Sequence, residues 1–316
     1  MRAIAITTLD GPDAVELVDL PEPTSDDQVI IEVKSAGVAF PELLQTRGLY
    51  QLKPQLPFVP GAEVSGIVVS APSGAGVVPG DRVAALSMLG GFAERVAADP
   101  SLTFRLPDSV TFAEGASFIF NYGTMYFALM QRGRMAPGES VLVHGAAGGI
   151  GTAAIQIAQA FGAGEVIAVV SSPEKGEVAM TAGADRFVLA DGFREHLGGG
   201  VDIVVDPVGG DRFTDSLRCL KQDGRILVIG FTAGQIPEVK VNRLLLNNIS
   251  AVGVGWGAYA MSRPGLIKEQ WEAMEPHLVS GALKPVLGES FPLAEASQAL
   301  KALETRSATG KITLMI

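Results

Sequence analysis

Val141-Leu-Val-His-Gly-Ala-Ala-Gly-Gly-Ile-Gly151 is the stretch whose reading decides the fold. Residues 141–143 are a short apolar run suited to a buried parallel strand, and residues 145–151 form a turn almost without side chains. A helix is predicted over 150–161, because Ile150, Ala153, Ala154, Ile157, Ala158 and Phe161 share one face. Strand, glycine turn and helix in this order open a nucleotide-binding βαβ unit. Bare glycines let a pyrophosphate approach the backbone, and the helix start offers free N–H groups and the positive end of its dipole. Ala147, Gly148, Gly149 and Ile150 are therefore candidate cofactor contacts. The spacing is Gly145-x-x-Gly148-x-x-Gly151 rather than G-x-G-x-x-G, and such turns also arise for tight packing alone.

The residues beyond the turn give weight to the nucleotide reading. Strands are predicted at 165–170, 186–189, 203–206, 225–230 and 249–253, with helices at 172–182 and 211–220 between them. Strands alternating with helices at this spacing mean a doubly wound parallel sheet. Residues 1–100 read differently, as short strands at 2–6, 15–20, 29–35, 64–70, 82–85 and 93–98. Their alternation of apolar and polar residues suits a compact antiparallel barrel. A long loop at 37–62 interrupts them, and loops of that length are commonly functional. Helical pieces are predicted at 112–118, 122–129, 266–279 and 293–303, and a last strand at 311–316.

With 316 residues, 47% of them hydrophobic, and 38 glycines, the chain suits a two-domain α/β enzyme. A net charge of -10 argues against a nucleic-acid binder, whose affinity rests on Lys and Arg against phosphates. The single cysteine, Cys219, excludes a disulfide framework and suits a reducing compartment. No signal peptide or run of about 18 apolar residues is seen, so a cytoplasmic protein without a membrane span is expected.

Ala36-Gly-Val-Ala-Phe-Pro-Glu42, Arg47-Gly-Leu-Tyr50, Pro57-Phe-Val-Pro-Gly-Ala-Glu-Val-Ser-Gly66, Gly80-Asp-Arg-Val83, the stretch 141–151 and Gly253-Val-Gly-Trp-Gly257 stand in this order along the chain. Together they resemble the zinc-independent quinone oxidoreductase branch of the medium-chain dehydrogenase/reductase superfamily. The resemblance implies a GroES-like β-rich catalytic domain at 1–118, completed by about 262–316, and a Rossmann NADPH-binding domain at 119–261. It also implies NADPH in a cleft, a quinone or other α,β-unsaturated carbonyl acceptor, and a homodimer joined through the 249–256 edge strand. That segment carries no Lys, Glu or Pro to guard an exposed sheet edge. Zinc-dependent relatives place Cys and His where Ala39 and Ala62 stand, and His144, His196 and His277 are far apart, so no metal is expected. Many members carry Asn at the position of Ala39. An enoyl-thioester reductase and a non-catalytic NADPH-binding sensor are the rival readings.

Cofactor preference is set about 20 residues past the glycine turn, where an acid would bind a ribose hydroxyl. Ser171, Ser172, Pro173, Glu174 and Lys175 stand there. Ser172 as N-cap and Pro173 at the first helical position are good helix-start chemistry in their own right. Lys175 in the first turn opposes the helix dipole, which an anion such as a 2′-phosphate would explain. The resemblance adds Arg306 to that phosphate. In the resembling reductases the Tyr at the position of Tyr50 faces the substrate, so the resemblance makes Tyr50 the candidate catalytic residue, its hydroxyl hydrogen-bonding an acceptor oxygen that gains charge as hydride arrives; a packing role is the alternative. Phe40, Trp256 and Tyr259 would complete an apolar pocket for a flat acceptor. Asn121 and Thr124 fall in the segment whose counterpart lines the nicotinamide ribose, with an N-cap role open for Asn121. Gly230 and Phe231 end a sheet strand at the ligand-binding carboxyl edge, and Val208, Gly255 and Trp256 are counted with them. Glu63 and Asp81 are expected to serve their turns, His144 to be a strand-end residue, and Cys219 to be core.

Overall fold

The computed structural model describes all residues, 1–316. The chain begins with β1 (Arg2–Ile6), β2 (Val15–Asp19), β3 (Val29–Val38), α1 (Phe40–Gln45), β4 (Glu63–Ser70), β5 (Arg82–Leu86), β6 (Arg95–Ala98) and β7 (Thr103–Arg105). Next come α2 (Phe112–Gly115), α3 (Ile119–Tyr126), β8 (Ser140–His144), α4 (Gly149–Ala160), β9 (Glu165–Val170), α5 (Pro173–Thr181), β10 (Arg186–Leu189), β11 (Val201–Asp206), α6 (Arg212–Arg218) and β12 (Leu220–Val228). The chain ends with α7 (Asn242–Asn247), β13 (Ser250–Gly253), α8 (Trp256–Met261), α9 (Leu266–Ser280), β14 (Leu287–Pro292), α10 (Ala296–Glu304) and β15 (Lys311–Met315). No helix is long and apolar enough to cross a membrane.

The chain divides into two compact units. One holds Met1–Phe120, Ile267–Trp271 and Pro285–Ile316; the other holds Asn121–Leu266 and Glu272–Lys284. The first is built on a seven-stranded sheet ordered β14-β15-β3-β4-β5-β7, with β6 also on β3. Its pairs are antiparallel except β14 with β15, so the antiparallel expectation holds for all but the last strand pair. The apolar stripe of 293–303 explains why the C-terminus returns here. Ala296, Ala299 and Leu300 are fully buried and share one core with Val29, Ile31, Val64, Val83 and Leu314.

The second unit is a six-stranded parallel sheet ordered β10-β9-β8-β11-β12-β13. Numbered within the sheet this is 3-2-1-4-5-6, the doubly wound Rossmann order, with its switch point between β8 and β11. The middles of its central strands, residues 141–143, 166–170 and 203–205, are apolar and buried because helices cover both faces. The stripe of α4 lies against them, with Ala153, Ala154, Ile157 and Ala158 completely buried.

Several elements depart from the sequence reading. The expected loop at 37–62 contains the end of β3 and the helix α1, which Glu42 starts by accepting the Ala39 N–H at 3.0 Å. Helix α3 begins at Ile119 and runs into a π-helical turn, Phe127–Arg132. Strand β12 starts at Leu220, which pairs with Val201 five residues before the apolar run that marks the strand in the sequence; the register then skips to Arg225 opposite Ile203, so the polar residues 221–224 form an irregularity that no apolar pattern marks. Helices α7 and α8 and strand β14 lie outside the elements expected from periodicity.

Candidate active site

Strand β8 delivers the chain to Gly145, whose φ of +59° lies in the left-handed region. The turn closes with Gly148 N–H donating to Gly145 O at 3.0 Å. Gly148 is the N-cap of α4 and supplies no side-chain cap, so the helix's first N–H groups point into the turn uncapped. A Cβ on Gly151 would lie 2.3 Å from Gly145 O and 2.6 Å from the Ala146 Cα. Only glycine permits this approach. The turn is a cradle of backbone donors that fits a pyrophosphate.

The parallel sheet brings the other candidates of the second unit to the same edge. Ser171, Val208, Gly230 and Gly255 follow the carboxyl ends of β9, β11, β12 and β13 respectively. A Cβ on Gly145 would touch Val208 Cγ2 at 3.4 Å, and one on Gly209 would meet Phe231 at 2.9 Å, so the turn and the two loops are neighbours. Asp206, which no motif marks, shapes the middle loop: its Oδ1 accepts the Val208 and Gly209 N–H groups at 2.8 and 2.9 Å. A lone Asp closing an apolar strand before Pro-Val-Gly-Gly is the signal that the sequence offers for it.

Ser172 is the N-cap of α5, its hydroxyl accepting the Lys175 N–H at 3.4 Å, with Pro173 behind it. Asn121 and Thr124 are buried inside α3. Asn121 is its third residue, so the N-cap alternative is excluded. Trp256 opens α8 and is buried; Tyr259, one turn on, packs on Phe127 with ring centroids 4.9 Å apart.

In the first unit Phe40 starts α1 and packs on the core of that unit's sheet. Tyr50 is half-buried and its hydroxyl pKa is raised, by burial and then by the Glu42 carboxylate, which keeps it a hydrogen-bond donor at neutral pH. Arg306 is exposed with a φ of +55°. Asp81 Oδ2 accepts the Val78 N–H at 2.8 Å, a turn role as expected. Glu63 does more than serve a turn. Its Oε1 accepts the Phe120 N–H at 2.9 Å and its Oε2 lies 3.5 Å from Lys311 Nζ. Burial pushes its carboxyl up to about 7 against the opposing pull of Lys311.

Two groups that could resemble catalytic bases are not available as such. His144 is fully buried at the end of β8, 2.8 Å from Ser216 Oγ. Because that hydroxyl donates to Arg212 O at 2.9 Å, His144 Nε2 carries the proton and Nδ1 the lone pair. Burial, with Arg212 nearby, pushes its pKa down to about 3. Cys219 is buried in the core beside Leu217, its thiol pushed up to about 11 by burial.

A Rossmann sheet with a phosphate-ready turn, in a chain that also carries a β-rich GroES-like unit, defines an oxidoreductase of the dehydrogenase class. Residues 25–108 match the alcohol dehydrogenase GroES-like domain family and residues 149–277 the zinc-binding dehydrogenase family. The quinone oxidoreductase-like protein 2 of Bos taurus is 37% identical over 323 residues, covering 100% of this chain and 92% of the relative. A probable oxidoreductase from Mycobacterium abscessus superposes with a TM-score of 0.91 at 43% identity, covering 100% of this chain and 99% of that one. The quinone oxidoreductase of Thermus thermophilus, solved also as its NADPH complex, gives a TM-score of 0.87 at 36% identity, both chains covered completely. The chain belongs to the quinone oxidoreductase branch of the medium-chain dehydrogenase/reductase superfamily. Despite the zinc in one family's description, Ala39 and Ala62 offer no ligand, and no three His, Cys, Asp or Glu residues gather where they could hold a metal ion.

The His144 ring should stay neutral, with the proton on Nε2, at every pH between about 5 and 8, the span in which an ordinary histidine titrates. Nitrogen chemical shifts of the labelled ring measure this; a midpoint near about 6.5 would contradict the buried assignment.

Proposed function

We propose that the protein is an NADPH-dependent, zinc-independent reductase of quinones or other α,β-unsaturated carbonyls. The observation that carries this reading is the gathering, at one carboxyl edge, of the uncapped glycine turn with a strand end that bears Ser171, Ser172 and Lys175 instead of an acid. The N–H groups of Gly149 and Ile150 hold the pyrophosphate, and Ser171, Ser172 and Lys175 the 2′-phosphate. Asn121 and Thr124 take the nicotinamide ribose, while the backbone of Gly230, Phe231 and Gly255 orients the carboxamide. NADPH when bound supplies the hydride. Tyr50 donates a hydrogen bond to the acceptor oxygen, and with no acid–base pair among the candidates the one proton that must accompany the hydride comes from water. The NADPH complex of the Thermus thermophilus relative and the quinone oxidoreductase names of the relatives support the assignment. One reduced, buried cysteine is in keeping with a cytoplasmic enzyme.

We further infer a homodimer through the edge of the parallel sheet. Strand β13 pairs only with β12 and is largely exposed. Beside it in the chain, Ile236, Val241, Leu245, Leu246 and Met261 are each more than 70% exposed, a large apolar surface for a lone subunit. Val254 N–H donates to Val228 O, so by strand alternation Val252 faces β12 while Ala251 and Gly253 turn their N–H groups outward. A second copy related by a twofold axis covers both edge and patch.

Three outcomes are expected. Lys175→Ala should raise the dissociation constant for NADPH about tenfold, the worth of one charge-assisted hydrogen bond, and leave NADH almost unchanged; equal losses would remove Lys175 from the 2′-phosphate. Tyr50→Phe should slow turnover of enones more than of quinones in a panel of both, with NADPH affinity intact; unchanged rates throughout would return Tyr50 to packing. Light scattering should give twice the 32.9 kDa chain mass. Ala251→Pro, which removes an outward donor without touching the β12 ladder, should shift that mass towards one chain. A wild-type monomer would refute the dimer.

A further inference from the structure

Glu63 and Lys311 stand oddly in an apolar core. Their side chains are 1% and 5% exposed, and Glu63 Oε2 and Lys311 Nζ, 3.5 Å apart, make no hydrogen bond. Replacing such a pair by apolar residues of like volume is often neutral or stabilising, so stability does not account for it. Its surroundings are arranged to admit it. On β3, Gly37 has no Cβ where one would fall 2.9 Å from Lys311 Cε, 3.1 Å from Glu63 Oε2 and 2.2 Å from Ala116 O.

Both members of the pair act on one residue, Phe120. Glu63 Oε1 accepts its N–H at 2.9 Å, and Lys311 Nζ lies 5.8 Å from the centroid of its ring. Phe120 is in the first turn of α3, where helix N–H groups have no acceptor within the helix and where the dipole favours an anion. Asn121 follows it directly and Thr124 one turn later. Tyr122 anchors the same helix from α4, its hydroxyl donating to Gln156 Oε1 at 2.7 Å. In the chain Asn121 lies between these two held residues.

We propose that Glu63, held by Lys311, is a positioning residue: its carboxylate caps the first turn of α3 and thereby sets Asn121 and Thr124 for the nicotinamide half of the cofactor. This rests on the assignment of those two residues to the nicotinamide ribose. The charged groups facing Glu63 are Lys311 on β15 and Glu42 on α1. Both oxygens of Glu42 are committed to the Ala39 and Ala62 N–H groups at 3.0 Å, so the open Oε2 of Glu63 is the place for a proton. With the carboxyl raised to about 7, the capping charge is present above neutrality and lost below it. Binding of the nicotinamide half should weaken in the same direction.

The test is calorimetric titration of wild type, Glu63→Gln and Lys311→Met with NADPH and with the 5′-methyl ester of adenosine 2′,5′-bisphosphate, from one pH unit below neutrality to one above. The bisphosphate ester carries the adenosine half alone and, like NADPH, no 5′-phosphate monoester, so titration of the 2′-phosphate cancels in the ratio of the two affinities. That ratio should fall about fivefold in wild type as pH drops, the scale of one hydrogen bond. In both variants it should be low and flat, with bisphosphate affinity retained. A pH-independent wild-type ratio, or variants that keep the wild-type ratio, would overturn the inference and leave the NADPH assignment standing. Failure of wild type to bind the bisphosphate would overturn that assignment and this inference with it. If neither variant folds, the wild-type series decides alone.

Discussion

A methyl group at Gly151 would lie 2.3 Å from the Gly145 carbonyl oxygen, and the second unit is arranged around that missing atom. Close approach lets α4 start directly over the end of β8, so its uncapped N–H groups open onto the turn instead of onto a side chain. Glycine there carries an entropic cost, since it loses more backbone freedom on folding than any other residue. Burial of the α4 stripe offsets the cost: Ala153, Ala154, Ile157 and Ala158 are without solvent exposure. Once the first βα step is fixed, right-handed crossovers carry every later strand of the sheet in parallel. The loops after β9, β11, β12 and β13 then open on the same edge by construction.

The first unit relies on buried charge where the second relies on bare backbone. Glu42 accepts N–H groups from Ala39 and Ala62, tying the start of α1 to the segment before β4. Those are the two positions at which zinc-dependent relatives place ligands. Glu63, next along the chain, turns its carboxylate to Phe120. Both acids are desolvated, and burial raises both carboxyl groups. They differ in satisfaction: Glu42 has a backbone donor on each oxygen, whereas Glu63 has one donor and an ammonium just beyond hydrogen-bond reach.

How much of this was legible in the sequence depends on the range of the interactions involved. The α4 stripe, the β9 and β10 strands and the α5 cap are local patterns, and they lie where periodicity and capping rules put them. Helix α1 was hidden because its six residues are too few to show a period and its cap comes from Glu42 rather than from Ser or Asp. Strand β14 was hidden because its residues are mostly exposed and only the pairing with β15 defines it. The contact of Glu63 with Lys311 spans most of the chain, and neither residue carries a motif for it. Asp206 lay within reach, since an acid closing an apolar strand must satisfy its lone pairs nearby.

Buried titratable groups elsewhere in the second unit are held out of proton chemistry. His144 is locked neutral against Ser216, Asp206 is spent on the Val208 and Gly209 N–H groups, and the Cys219 thiol is far above neutrality. What remains at the carboxyl edge is backbone N–H, hydroxyl and the Lys175 ammonium, groups that orient a ligand without taking a proton from it. Hydride transfer asks for that division. It needs an acceptor carbon fixed near the donor and a polarised oxygen, and a base that titrated near neutrality would add only pH dependence. Discrimination among acceptors then falls to shape and to single hydrogen bonds. On the proposed assignment Tyr50, whose hydroxyl burial keeps protonated, is the candidate donor of such a bond.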